Sequence, residues 1–390
     1  VGAKEYLLLS SPASFIECPS ISGDFNHNAS ADPACEVRHR SHGDVVGGAP
    51  NQDEHDRVHS RSMIDLGNGL SAVTERIGAE VGQSSEVNFM ILRRGAAQPN
   101  NTVVYQSRRD DNAAPLSIVV NNSGVPIRDM HSLAKLDSVD RDGNNIKKVY
   151  IASTIIGAQE NPLDIIIQIA IPAMPPENRL SPNDVDWNTF KFNPGFSGLR
   201  ALEMLTVGEN NRLAALYENG PEDNQGPAIV LMNPDNRDLP VQQTIYLGQE
   251  ASIQSSVEIV SQGSKLYIGS GEGDAHDPKI YIVDTSAEEN PVQTVELSLE
   301  DRVQGSVKDI DIEGQNIVVA VNDGAGAAHL LQVDANMRVN QLTGGSIGRD
   351  ISGLTIINGV AYFMMQSECV DPSTQGDPPR VLAAASLSAD

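Results

Sequence analysis

The sequence predicts an all-β fold, a single β-propeller of seven four-stranded blades, and three observations predict it. A unit of short apolar strands recurs along the 390 residues. Gly, Asp, Asn and Pro separate the strands. Helical periodicity sustained over about 10–12 residues is almost absent.

The clearest unit runs from Lys265–Ser270 through Lys279–Asp284 to Pro291–Leu297. Its apolar residues alternate or form short blocks rich in β-branched and aromatic side chains, which suits half-buried or buried strands. Upstream the same order returns as Arg212–Tyr217, Ala228–Met232 and Pro240–Tyr246, with Asn233–Asn236 as a turn. Downstream it returns as Asn316–Val321 with His329–Val333, and as Val360–Met365 with Arg380–Ala385. Earlier copies are Thr102–Gln106 with Leu116–Val120, and Lys148–Ala152 with Leu163–Ile167. Four strands in a period of roughly 40 to 50 residues is the spacing of propeller blades. A lone blade exposes both faces; stacking buries them, so a chain with only 4% aromatics can still assemble a large core.

The N-terminus fits the template with an interruption. Glu5–Ser10 reads as a second strand, Ser62–Leu66 as the third and Leu70–Arg76 as the fourth, with Asn68-Gly69 as a hairpin turn. Residues 11–60 then form a polar insert in the first blade, far longer than an ordinary connection and so functional or disordered. The innermost strand of the first blade and the outermost of the last are missing from the count, which leaves six or eight blades as alternatives.

Composition removes several function classes. Lys and Arg number 27 against 52 Asp and Glu, a formal charge of −25. Such a surface repels nucleic acid and anionic membranes, though acidity also suits life in salt. No run of about 18 apolar residues offers a membrane span. No basic and apolar leader precedes Val1, so an exported chain would already have lost it. Glycosylation sequons occur at Asn28, Asn100 and Asn121. There is no Gly-x-Ser-x-Gly, no Cys-x-x-Cys-His for haem and no phosphate-binding loop; Gly269–Gly273 joins two strands and is no nucleotide cradle. Trp187 is expected to pack between blades.

The insert concentrates unusual residues. It holds Cys18, Cys35 and five of the eight histidines, His27, His39, His42, His55 and His59. In a propeller, second-to-third and fourth-to-first connections share one face. The template puts His131 in a fourth-to-first connection, His276 in a second-to-third loop and His329 at the end of another, so the histidines gather on that face. Cys369 sits in the last blade's corresponding loop. Cys18 and Cys35 are expected to pair, or one of them pairs with Cys369; the odd count leaves one thiol over. His55 and His59, and likewise His39 and His42, would share a face if helical. Imidazoles suit copper or zinc, with Asp53, Glu54 and Asp56 available to ligate or orient them. The bland alternative is a solvated loop over the ring mouth. Separately, Asp137, Asp140, Asp142 and Asn144 precede a strand with the alternating oxygens that suit calcium, against the alternative of an acidic turn. Asp309, Asp311, Arg349 and Asp350 fall near inner strands, where they would bind a ligand or satisfy one another.

Ile282–Asp284 and Asn290–Val292 resemble the Val-Asp-x-Ser-x-x-x-x-Pro repeat of LVIVD-type and related bacterial surface-exposed repeat propellers, most clearly over 200–300. The resemblance implies an exported, periplasmic, cell-surface or extracellular propeller and no particular reaction. Three functions remain: a binding or structural protein presenting a loop-rich face to a protein, glycan or surface assembly; a copper or zinc protein or metalloenzyme using the histidines; and a calcium-dependent hydrolase of the lactonase type.

Overall fold

The computed structural model describes residues 6–11, 14–19, 36–40, 58–77, 86–93, 103–107, 117–120, 123–156, 162–174, 180, 185–191 and, with short interruptions, 195–366 and 380–387. All their regular structure is β, as the short alternating runs predict. The chain divides into two units, one built on Pro33–Leu202 and the other on Glu203–Asp390.

In the first unit, β1 (Tyr6–Ser11), β2 (Ser14–Pro19) and β3 (Glu36–Arg40) form a three-stranded antiparallel sheet. Next come β4 (Val58–Gly67), β5 (Leu70–Ile77), β6 (Glu86–Arg93) and β7 (Val103–Gln106), a four-stranded meander. The third sheet has five strands: β8 (Ser117–Val120), β9 (Ser123–Val139), β10 (Asn145–Ile156), β11 (Pro162–Pro172) and β12 (Asp186–Lys191). The sheets of β4–β7 and β8–β12 pack face to face. Phe89, Ile91, Val149, Ile151, Ile165 and Ile167 are almost wholly enclosed between them. At such a site Ile→Ala costs about 2–5 kcal/mol.

The second unit repeats the plan. β13 (Ser197–Val207), which begins before the boundary, leads β14 (Asn210–Asn219), β15 (Ala228–Met232) and β16 (Val241–Tyr246). β17 (Ile259–Gln262), β18 (Lys265–Gly269), β19 (Lys279–Asp284) and β20 (Val292–Glu296) follow. The last sheet contains β21 (Gly305–Glu313), β22 (Asn316–Asp323), β23 (Ala327–Val333), β24 (Val339–Gln341), β25 (Gly348–Ile357), β26 (Val360–Gln366) and β27 (Arg380–Ser386). Ile280, Ile282, Val319, Val321 and Leu331 bury one sheet-to-sheet contact, and Val318, Ala320, Leu330 and Phe363 the next. Third strands such as β15 are buried at every residue, which explains their unbroken apolar runs. Successive antiparallel meanders packed face to face are the blade arrangement of the β-propeller class.

Two expectations are corrected. The described strands make six sheets, not seven blades, because the last two repeats merge. β24 covers only Leu331–Val333, and β25 pairs Arg349 and Gly348 with the uncovered Ala327 and Ala328. The first blade is also arranged differently. Glu5–Ser10 does not pair with Ser62–Leu66: β1 pairs with β2, while Ser62–Leu66 and Leu70–Arg76 are the first two strands of their own sheet. The interval 11–60 therefore holds β2 and β3 rather than a plain connection.

The strand-joining turns follow local chemistry. Asn68 (φ 54°) and Gly69 (φ 72°) both occupy the left-handed region, as a two-residue type I′ hairpin requires. Asn358 (φ 52°) and Gly359 (φ 75°) repeat it between β25 and β26.

Leading strands of neighbouring sheets are joined mainly by side chains bonding to backbone, rather than by a ladder. In the first unit Lys135 Nζ on β9 donates to the Asp65 carbonyl on β4. In the second, Ser261 Oγ on β17 donates to the Met204 carbonyl (3.0 Å) and to Glu203 Oε1 (2.7 Å) on β13. Gln262 Nε2 donates to the Gly314 carbonyl after β21 (2.6 Å). The fullest seam lies between β21 and β25. There Asp309 accepts from Leu354 N, Asp311 from Ile356 N (2.6 Å), and Glu313 from Asn358 N (2.8 Å) and Gly359 N (2.6 Å). Alternate positions on a strand point to one face, so three acidic residues two apart line one edge of contact.

Candidate functional site

A polar row crosses β9, β10 and β11 near the β10–β11 connection. Thr154 on β10 stands opposite Asp129 on β9 and Asp164 on β11. The apolar alternation of β10 places Ile151 and Ile155 in the core, leaving Thr154 on the opposite face. Thr154 Oγ1 lies 3.5 Å from Asp164 Oδ1. Asp164 Oδ2 accepts the Leu199 amide of β13 (3.0 Å). The same residue's carbonyl lies 2.7 Å from His131 Nε2. A carbonyl only accepts, so Nε2 carries the hydrogen. Ser132 Oγ accepts from Leu202 N (2.9 Å) one turn of the pleat further on.

His131 is held below the usual histidine range. Enclosure is the main cause; Arg200 adds to it, while Asp129, the bond to Leu199 and Asp164 work against it. The site thus combines a neutral imidazole with two carboxylates, a hydroxyl and a guanidinium. It can accept and donate hydrogen bonds and exchange a proton, but it offers no activated nucleophile.

The template put His131 in a connection. It lies inside β9 instead, at a β-bulge between the pairs Ser132–Ala152 and Met130–Ser153, with a second bulge before Ile127. The extra residues break the period of two, so the strand was not legible there. Asp129 and Asp164 were missed for a related reason. The available signal was Asp164 within the apolar run Leu163–Ile167.

His329 lies in β23, the strand read from His329 to Val333, which begins two residues earlier at Ala327. Its Nε2 lies 3.2 Å from Asp323 Oδ2, beside the turn where Asp323 Oδ1 also accepts Ala327 N (2.8 Å). Gln341 Nε2 lies 3.5 Å from the other ring nitrogen. Both His131 and His329 therefore sit near the end of their own sheet that bears the second-to-third strand connection.

The remaining expected residues are described only in part. His39 falls in β3 and His59 in β4, so neither has the helical spacing to a second histidine on which a shared face depended. His27, His42, His55, His276, Cys35 and Cys369 lie outside the described residues, and Cys18 is placed only by its backbone in β2, opposite Leu7. Trp187 is placed by its backbone in β12, opposite Ile169. Asp140 and Asn144 close the β9–β10 hairpin. The Asp140 carboxylate accepts from Asp142 N (2.9 Å), Asn144 N (2.8 Å) and Asn144 Nδ2 (2.9 Å). These bonds, the Asn144 side chain first, hold its carboxyl below the usual range. Asp137 instead meets Lys147 Nζ at 2.7 Å. Among the described residues no three His, Cys, Asp or Glu side chains converge as a metal site. No described helix is long and apolar enough to cross a membrane. Asp309 and Asp311 serve the β21–β25 seam, and Arg349 and Asp350 lie in β25.

No family model matches the chain. No curated protein matches it either. Among solved structures, it is similar to an acylaminoacyl peptidase of Pyrococcus horikoshii, at 10% identity, with 86% of this chain and 46% of that one covered and a TM-score of 0.44. A Trypanosoma rangeli sialidase gives 13%, 84% and 54%, and 0.44. The β-propeller domain of the Trilobed protease from Pyrococcus furiosus gives 10%, 84% and 95%, and 0.36. The chain spans about half the length of the first two proteins. Likeness of this degree carries nothing about activity or substrate.

Proposed function

We propose that this chain is an exported binding protein of the β-propeller class, receiving a protein or glycan at the second-to-third strand ends of its sheets. One observation carries the reading: in four of the repeats the two ends are built differently. First hairpins close tightly, at Asn68-Gly69, Gly208, Gly263-Ser264, Gly314-Gln315 and Asn358-Gly359. At the opposite end the second and third strands are joined through 78–85, 220–227, 270–278 and 367–379. Long connections on a rigid scaffold are where recognition residues concentrate. The corresponding ends of two further repeats, with the shorter connections 157–161 and 324–326, hold Asp129, Thr154 and Asp164 in one unit, and Asp323 and His329 in the other. The LVIVD-type resemblance supports an exported setting.

The test replaces 270–278 with Asn-Gly, a turn that closes a two-residue hairpin. Wild type and variant are screened against printed glycans and displayed extracellular proteins. The expected result is selective binding by the wild type that the variant loses while its circular dichroism and melting temperature hold. Binding that survives this change and the equivalent change at 220–227, or no selective binding at all, contradicts the reading.

A further inference from the structure

We propose that the seam between β9 and β13 is an acid-sensitive device, which His131 opens when the pH falls. The proposal is independent of the binding reading. It begins from the seam's construction. Three bonds between side chains and backbone hold β13 in place here: His131 Nε2 to the Leu199 carbonyl (2.7 Å), Asp164 Oδ2 to Leu199 N (3.0 Å) and Ser132 Oγ to Leu202 N (2.9 Å). Two of them hold the two sides of one residue, Leu199, which is buried. His131 itself is the bulged residue of β9, so its ring is pressed towards β13 rather than sharing the regular pleat.

Three charged groups face the imidazole from the elements packed against it: Asp129 on β9, Asp164 on β11 and Arg200 on β13. The carboxylates favour an imidazolium, whereas Arg200 and enclosure oppose one, and enclosure is the largest influence. At neutral pH the ring is neutral and donates through Nε2. Acidification adds a proton at Nδ1 with no change in that bond, and leaves a cation confined beside Arg200. Moving β13 away from β9 returns the cation to water. Since the folded ring binds its proton less readily than a free one, closure weakens as pH falls from the ordinary histidine value of about 6.5 towards the lower folded value. Each unit of depression raises the opening equilibrium by up to about tenfold.

Hydrogen exchange at the Leu199 and Leu202 amides, corrected for intrinsic rates, tests this in the full chain. The expected result is a loss of protection between pH about 7.5 and about 5 in the wild type. His131→Gln, whose side-chain amide can reach the same carbonyl without titrating, should show no such loss. Asp129→Asn removes a charge that favours the cation, so it depresses the folded value further and should deepen the loss of protection at the acid end. Protection that stays constant or rises on acidification in the wild type overturns the proposal. So does an unchanged transition in His131→Gln or, if that variant does not fold, in Asp129→Asn.

Discussion

Two seams between leading strands solve one problem with different chemistry. Between β9 and β13 the acceptors and donors are an imidazole, one carboxylate and a hydroxyl. Between β21 and β25 they are three carboxylates set two residues apart, each accepting backbone N–H groups of the next strand. In both, bonds from side chains to backbone join strands that share no backbone ladder. The carboxylate seam is the stronger of the two, since hydrogen bonds to charged acceptors contribute about 1.5–3 kcal/mol and neutral ones about 0.5–1.5. Its acceptors include no imidazole. The other seam has one in His131, and it lies beside the polar row of Asp129, Thr154 and Asp164.

This contrast can be broken from either side. The largest effect is expected from Asp309→Ala with Asp311→Ala, which strips acceptors from Leu354 and Ile356 and from the neighbouring Ile310 and Ile312 amides. A loss of about 3–4 kcal/mol is expected in urea unfolding, less than a simple sum because the sites adjoin. A loss under about 1 kcal/mol would show that the seam is incidental to stability. Ser132→Ala in the other seam removes a neutral acceptor from Leu202 N and should cost about 1 kcal/mol by the same measurement. Glu313→Gln keeps an oxygen towards Asn358 but gives up the charge, at the rim of its seam, and should cost less than about 1 kcal/mol. If that variant proves as damaging as the double aspartate change, charge rather than the number of acceptors governs the seam.

Much of this architecture was legible in the sequence, and the exceptions have physical causes. Strands such as Lys279–Asp284 and Ala228–Met232 appear where their apolar blocks predict them, because both faces of those strands are buried. The Asn68-Gly69 turn was legible because so few residue pairs tolerate two positive φ values. The partner of a strand was not. Ser62–Leu66 and Leu70–Arg76 were recognised as neighbours yet given the wrong places in their sheet, since periodicity identifies a strand and not its order. The merging of the last two repeats was hidden because it depends on how little of β23 the short β24 covers. The candidate site was mostly hidden. Asp129, Asp164 and Arg200 are far apart in the chain and meet only through β-pairing and a bulge. Asp309 and Asp311 were legible as polar residues near an inner strand, there to bind a ligand or to satisfy one another, but they accept from backbone amides of β25, which no side-chain pattern announces.

The most direct measurement follows both seams in one sample, by hydrogen exchange of peptides covering 196–204 and 353–360 as the pH is lowered through about 6.5. The predicted result is that 196–204 loses protection while 353–360 keeps it across the same interval. Simultaneous loss in both peptides, or loss first in 353–360, would contradict the assignment of acid sensitivity to the His131 seam.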